Sequence, residues 1–208
     1  MKKIGVIVDG QSEYRALPLL TSRLVLTQTQ VISPLYAPIP PYAPVGVIAH
    51  ACRSRIEQLA RRGVREIIIL LDREKRAECA GDLATAIGNA LVVPVGCRGW
   101  VVVKDRMFEN WLIADVTALK SSPQRFNISP AFEHKIIPGK ADSCDALRML
   151  KEVTSHSYLK VQDSKIILAA ADPLRIAENS RSFRRLLRVI GHESYRDQSA
   201  RPVRTPTK

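Results

Sequence analysis

Four carboxylates stand where they could share a divalent cation. Asp9 and Glu13 lie in "VIVDGQSE" (6–13), and Asp72 and Glu74 lie in "LLDRE" (70–74). In both stretches an apolar run stops at an aspartate, and a glutamate follows within a few residues. Carboxylates brought together repel and raise one another's pKa unless a cation compensates. Their hard oxygens suit Mg²⁺ or Mn²⁺. Two such ions about 3.5–4 Å apart can activate water and stabilise the leaving oxygen of a phosphodiester. A plainer reading stands beside this one. Asp-Gly after a strand is a common turn, a glutamate at a helix start favours the helix dipole, and "DREKR" (72–76) is a charge run. Either motif alone reads as structural. The two together, on the best strands of the chain, read as a metal site.

The elements that would position these acids follow from hydrophobic patterning. "IGVIV" (4–8) and "REIIILLDRE" (65–74) are continuous β-branched runs, the mark of strands buried on both faces of a parallel sheet. "LVVPV" (91–95) and "WVVVK" (100–104) are further strand candidates. Helical spacing is expected over 13–26, with Pro18 near its first turn, over 47–63, over 77–91 and over 108–120. The prolines of 33–44 leave an edge strand or a loop, of the kind that borders a site. Strands alternating with helices predict an α/β fold with a parallel, doubly wound sheet. Ligands of such sheets bind beyond the carboxyl ends of the strands. Asp9 and Asp72 are therefore expected at one edge. Arg53, Arg55, Arg61 and Arg62 crowd the second helix, either as a solvated face or as a phosphate-binding surface. After about residue 120 the pattern changes to loop, then to helices at 144–153, at 165–179 with an interruption at Pro173, and at 182–191. This divides the chain into a core (1–120), a loop and helical extension (121–191) and a basic flexible tail (192–208).

The 208 residues carry a net charge of +12 at 46% hydrophobic composition, which points to a globular protein with a polyanionic partner, most simply nucleic acid. Residues 181–208 hold eight Lys or Arg against two acids, a net of +6 and half of that excess. Cys52, Cys79, Cys97 and Cys144 form no CxxC pair and read as ordinary thiols. The apolar run of the N-terminus is too short for a signal peptide, and no stretch approaches the roughly 20 apolar residues of a membrane span. A cytoplasmic protein without membrane contact is expected. Gly10 begins no GxGxxG series, and "PGKAD" (138–142) lacks both the Ser/Thr and the first glycine of a phosphate loop. The four histidines form no metal pair, and no GxSxG elbow exists.

Taken together, these segments resemble a Toprim domain, the Mg²⁺-binding α/β module of topoisomerases, primases and OLD-type nucleases. Such domains carry a glutamate after the first strand and a DxD motif after a later one, where this chain has "VDGQSE" and "LDRE". The chain is more closely similar to a family of Toprim-like bacterial conserved hypothetical proteins. That family's pattern is met by "DGQSE" (9–13), "ENWLIAD" (109–115), "PGK" (138–140) and "SRSF" (180–183), in order. The resemblance implies that Asp9, Glu13, Asp72 and Glu74 are metal ligands. It makes Glu109 a further ligand or an acid supporting one, and Lys140 a cation for the transition-state phosphate. Trp111 is expected in the core. Asp9 stands where the family has a glutamate, and Glu74 where it has the second aspartate. One is a methylene shorter and the other a methylene longer, which either shifts the ion or weakens its binding.

These readings predict a Mg²⁺- or Mn²⁺-dependent nuclease acting through metal-activated water. The likeness to OLD-type nucleases implies a separate ATPase partner and a role against phage or foreign DNA. Two alternatives stay open: a non-catalytic nucleic-acid-binding or regulatory subunit with a degenerate metal site, and a small-molecule phosphohydrolase.

Overall fold

A computed structural model describes residues 1–195. Five strands form one all-parallel sheet: β1 (Lys2–Val8), β2 (Thr29–Val31), β3 (Leu35–Tyr36), β4 (Glu66–Asp72) and β5 (Arg98–Lys104). The order is β2-β1-β4-β5. β2 pairs with the start of β1 (Lys2–Ile4) and β3 with its end (Ile7–Val8), so together they make one interrupted edge strand. Pro34 falls in the gap, where the missing N–H costs no ladder bond. The proline-rich segment is thus edge strand and loop at once.

Both faces of the sheet are buried, which is why the central strands read as unbroken apolar runs. Ile4, Val6, Val8, Ile68, Leu70 and Val102 face one layer, while Ile7, Ile67, Ile69, Leu71, Val101 and Val103 face the other. The second layer is α2 (Val45–Arg61) and α3 (Ala80–Ala90), which contribute Ile48, Cys52, Ile56, Leu59, Leu83 and Ile87. α2 packs so closely on β1 that a Cβ on Gly5 would lie 2.8 Å from Leu59 Cδ1. The first layer is α1 (Gln11–Thr21) with the helices of the C-terminal region: α4 (Glu109–Ala114), α5 (Val116–Lys120), α6 (Pro130–Ile136), α7 (Ala146–Val153), α8 (Lys160–Ala170), α9 (Pro173–Asn179) and α10 (Arg181–Ile190). Phe126, Leu150, Ile167, Phe183 and Leu187 share one apolar cluster with the strand residues, so the segments on either side of residue 120 have a common core.

Several expectations are corrected. "LVVPV" is not a strand: residues 91–94 are coil and 95 begins a turn, with Val92 and Val95 exposed. Gly99 leaves room for Val93 and Leu91 to fold across the start of β5. α1 begins at Gln11, so Pro18 sits in its interior and removes one ladder donor. The helix expected over 108–120 breaks at Asp115 (φ −103°, ψ 87°), whose carboxylate caps α5 by accepting from Thr117 N and Ala118 N. The expected loop before residue 144 contains α6, started by Pro130 at its first position and by the Ser129 cap. The interruption at Pro173 is present, between α8 and α9. Of the expected tail, residues 193–195 form a 3-10 turn, and 196–208 lie outside the described residues. Among the described residues no helix is long and apolar enough to cross a membrane.

Candidate functional site

β1 and β4 are parallel neighbours, with Val8 opposite Leu70, so Asp9 and Asp72 leave the sheet at the same edge. Asp72 N donates to Asp9 Oδ2 at 3.0 Å, which locks the two strand ends together. Glu13 sits in the first turn of α1 and folds back over Gly10. A side chain at position 10 would meet Glu13 Oε2 and force the acid to move from its place on Lys104. One carboxylate oxygen from each of Asp9, Glu13 and Asp72 lies within 4.8 Å of the others.

A residue that the sequence reading passed over occupies the middle of this group. Lys104 ends β5, directly opposite Asp72 in register, and is 0% exposed. Its ammonium lies 2.5 Å from Glu13 Oε1, 3.1 Å from Asp72 Oδ1 and 3.5 Å from Asp9 Oδ1. The available signal was positional: Lys104 ends its strand as Asp9 and Asp72 follow or end theirs.

One ammonium does not balance three carboxylates. Burial, with Asp9, Glu13 and Glu109 adding, pushes the Asp72 carboxyl well above the usual range, against the pull of Lys104. Burial also opposes the charge on Lys104. The Asp72, Glu13 and Asp9 carboxylates outweigh it and hold the ammonium pKa well above its ordinary value. Asp72 Oδ1 is buried and receives no well-directed hydrogen bond, although the ammonium is near. An all-oxygen donor set in which three carboxylates share one ammonium fits a hard cation.

The remaining predicted residues divide. Glu109, 3% exposed, and Glu74 line the same cleft as the three close acids. Glu74 stands outside the close trio, at a positive φ of 59°, with its N–H on Arg106 O at 2.6 Å. Burial raises its pKa, Lys160 opposes the shift, and Asp9 and Glu109 add to it. Lys160 Nζ pairs with Glu109 Oε1 at 3.0 Å and also lines the cleft. Lys140 is exposed, ahead of α7, and is not among the lining residues. The cleft measures about 330 Å³. It crosses the sheet edge from Leu83 and Ile87 of α3 to Phe108 and Lys160 on the opposite layer.

The other resemblance motifs build the scaffold. Trp111 is fully buried edge-to-face against Phe183 (4.9 Å), and its Nε1 donates to Ser182 Oγ at 2.8 Å. Asp142 accepts from Ser180 Oγ, Ser182 N and Ser182 Oγ. Asp115 accepts from Asp172 N (2.8 Å) and Arg175 Nε (3.0 Å), joining α5 to α9. Asn179 bridges Gly139 N and Ala114 O. Of the α2 arginines, Arg55 is engaged on Tyr36 O at 3.0 Å. All four cysteines are free thiols.

No curated protein and no solved structure matches this chain. The family model of a domain of unknown function, DUF4276, matches residues 8–191, which run from the end of β1 to the end of α10 and include every residue of the carboxylate edge. With nearly the whole fold inside that match, the chain belongs to the DUF4276 family.

Proposed function

We propose that this chain hydrolyses phosphodiester bonds of nucleic acid with Mg²⁺ or Mn²⁺ held at Asp9, Glu13 and Asp72, with Glu74 and Glu109 beside them. The observation that carries the reading is the meeting of one carboxylate oxygen each from Asp9, Glu13 and Asp72 at the sheet edge, with one ammonium shared among the three. A bound ion would supply activation of water and Lewis-acid stabilisation of the leaving oxygen. The chain's own residues do the rest. Lys104 holds Glu13 and Asp72 in place at 2.5 and 3.1 Å and offsets part of their repulsion. Lys160, anchored by Glu109, places a positive charge at the cleft for a substrate phosphate. In the resemblance that role falls to Lys140, but Lys160 is the lysine that lines the cleft. The net charge of +12 favours a polyanionic substrate. The resemblance to Toprim domains supports metal-dependent chemistry at these acids. The OLD-type likeness extends the proposal to a separate ATPase partner and to defence against foreign DNA.

One observation favours a second reading. A wholly buried ammonium that touches all three acids can stand in for an ion, leaving a nucleic-acid-binding module without catalysis. The two readings separate in one assay: plasmid and single-stranded DNA with Mg²⁺, Mn²⁺ or EDTA, for the native chain and Asp72→Ala. Metal-dependent nicking that the variant loses supports hydrolysis. Unchanged DNA binding without cleavage, with or without an added ATPase, supports the binding module.

A further inference from the structure

We propose that the cleft takes one unpaired nucleotide of a nucleic-acid strand, with its base against the apolar wall and Tyr42 and its phosphate toward Lys160 and the carboxylate edge. This rests on the nucleic-acid reading above and adds the form of the substrate.

Depth is the first argument. Of the acids that line the cleft of about 330 Å³, Glu13 and Glu109 are each 3% exposed and the Asp9 and Asp72 side chains are 15% and 17% exposed, so the carboxylates are recessed below the surface. The cleft volume is at the small end of the roughly 300–1,000 Å³ range of small-molecule sites. A stiff, paired duplex cannot lower an internal phosphate into such a recess. A single unpaired or extruded nucleotide can, as in enzymes that take a base out of the stack.

The wall is the second argument. Ile39 and Pro40 are the accessible part of the apolar wall beside the charged edge, backed by the buried Ile48, Leu83 and Ile87. An apolar wall next to the carboxylates, where the proposed ion would sit, matches a base joined to its phosphate.

Tyr42 supplies the third. It lines the cleft, is 53% exposed, and is fixed at a φ of 59°, a left-handed conformation that a bulky residue rarely adopts. Arg76 keeps the ring company, its Cζ 5.9 Å from the ring centroid, while its Nη2 is anchored on Ala43 O at 2.6 Å. A half-exposed aromatic beside a guanidinium offers a face on which an unpaired base can stack.

Fluorescence anisotropy with a short labelled single strand, its blunt duplex and a competing mononucleotide, all in Ca²⁺ in place of Mg²⁺, tests this. The native chain is expected to bind the single strand more tightly than the duplex. Tyr42→Ala is expected to weaken single-strand binding on the order of tenfold, with Tyr42→Phe restoring it and duplex binding unmoved. Equal binding of strand and duplex, no binding of either, a Tyr42→Ala that binds like the native chain, or binding of the mononucleotide alone would each overturn the proposal. Cleavage in Mg²⁺ is read separately. Selective strand binding without cleavage refutes hydrolysis and leaves the nucleotide cleft standing. Cleavage of the duplex and the single strand at equal rates, with equal binding, does the reverse.

Discussion

Asp142 is a buried aspartate and Asp72 a half-buried one within one small protein, and their surroundings differ in kind. Asp142, between the helices of the C-terminal region, accepts three hydrogen bonds from neutral donors: Ser180 Oγ and Ser182 N at 2.8 Å, and Ser182 Oγ at 3.1 Å. Burial raises its pKa and those donors oppose the rise. Asp72, at the sheet edge, accepts from no neutral donor among the described residues and has two acids close by and a single ammonium shared with them, 3.1 Å from its Oδ1. Buried polar groups in a scaffold are satisfied. In the proposed reading, this difference marks the sheet edge as the place where a cation binds.

Removing Lys104 should break this contrast most severely. Lys104→Met leaves the buried Glu13 and the half-buried Asp9 and Asp72 without their shared counter-charge, and truncating one partner of a buried ion pair costs about 3–5 kcal/mol. Urea unfolding should show that loss, and Mg²⁺ should recover part of it if the acids bind the ion. Asp72→Asn acts in the opposite sense. It should cut metal-dependent cleavage by about a hundredfold or more, yet raise the melting temperature in EDTA because one repelling charge is gone. Asp142→Ala should do the reverse of Asp72→Asn. Orphaning the Ser180 and Ser182 donors should cost about 1–3 kcal/mol, with Mn²⁺ affinity unchanged.

The smallest effect is on pH dependence. The folded state raises the Asp72 and Glu74 pKa values, in both cases chiefly by burial. A raised acid binds its proton more tightly in the folded than in the unfolded chain. Its contribution to stability is therefore full below the unfolded pKa of about 4 and is lost as pH rises through the folded value. In EDTA, stability should fall as pH rises from about 4, and the slope should be shallower in Asp72→Asn. An equal slope in both chains would remove Asp72 as its source.

The sequence showed the edge but not its centre. β1 and β4 were legible because strands buried on both faces leave unbroken β-branched runs, and Asp9, Glu13 and Asp72 meet as their placement implied. Lys104 was not legible. A lysine at a strand end reads as a solvated terminus, and only the β4–β5 register sets it opposite Asp72. "ENWLIAD" holds two acids that periodicity cannot tell apart. The break at Asp115 sends Glu109 to the cleft and turns Asp115 into a cap. "LVVPV" failed as a strand because composition does not reveal that the next run, 98–104, takes the side of β4 opposite β1.

The central claim is that the carboxylate edge takes up a hard cation that Lys104 does not replace. Calorimetric titration of Mn²⁺ into the native chain and into Asp72→Asn, with melting temperatures measured alongside, tests it most directly. The account predicts saturable binding and a rise in melting temperature in the native chain, both lost in the variant while it stays folded. A native chain that takes up no Mn²⁺ and melts at the same temperature with or without it would contradict the account.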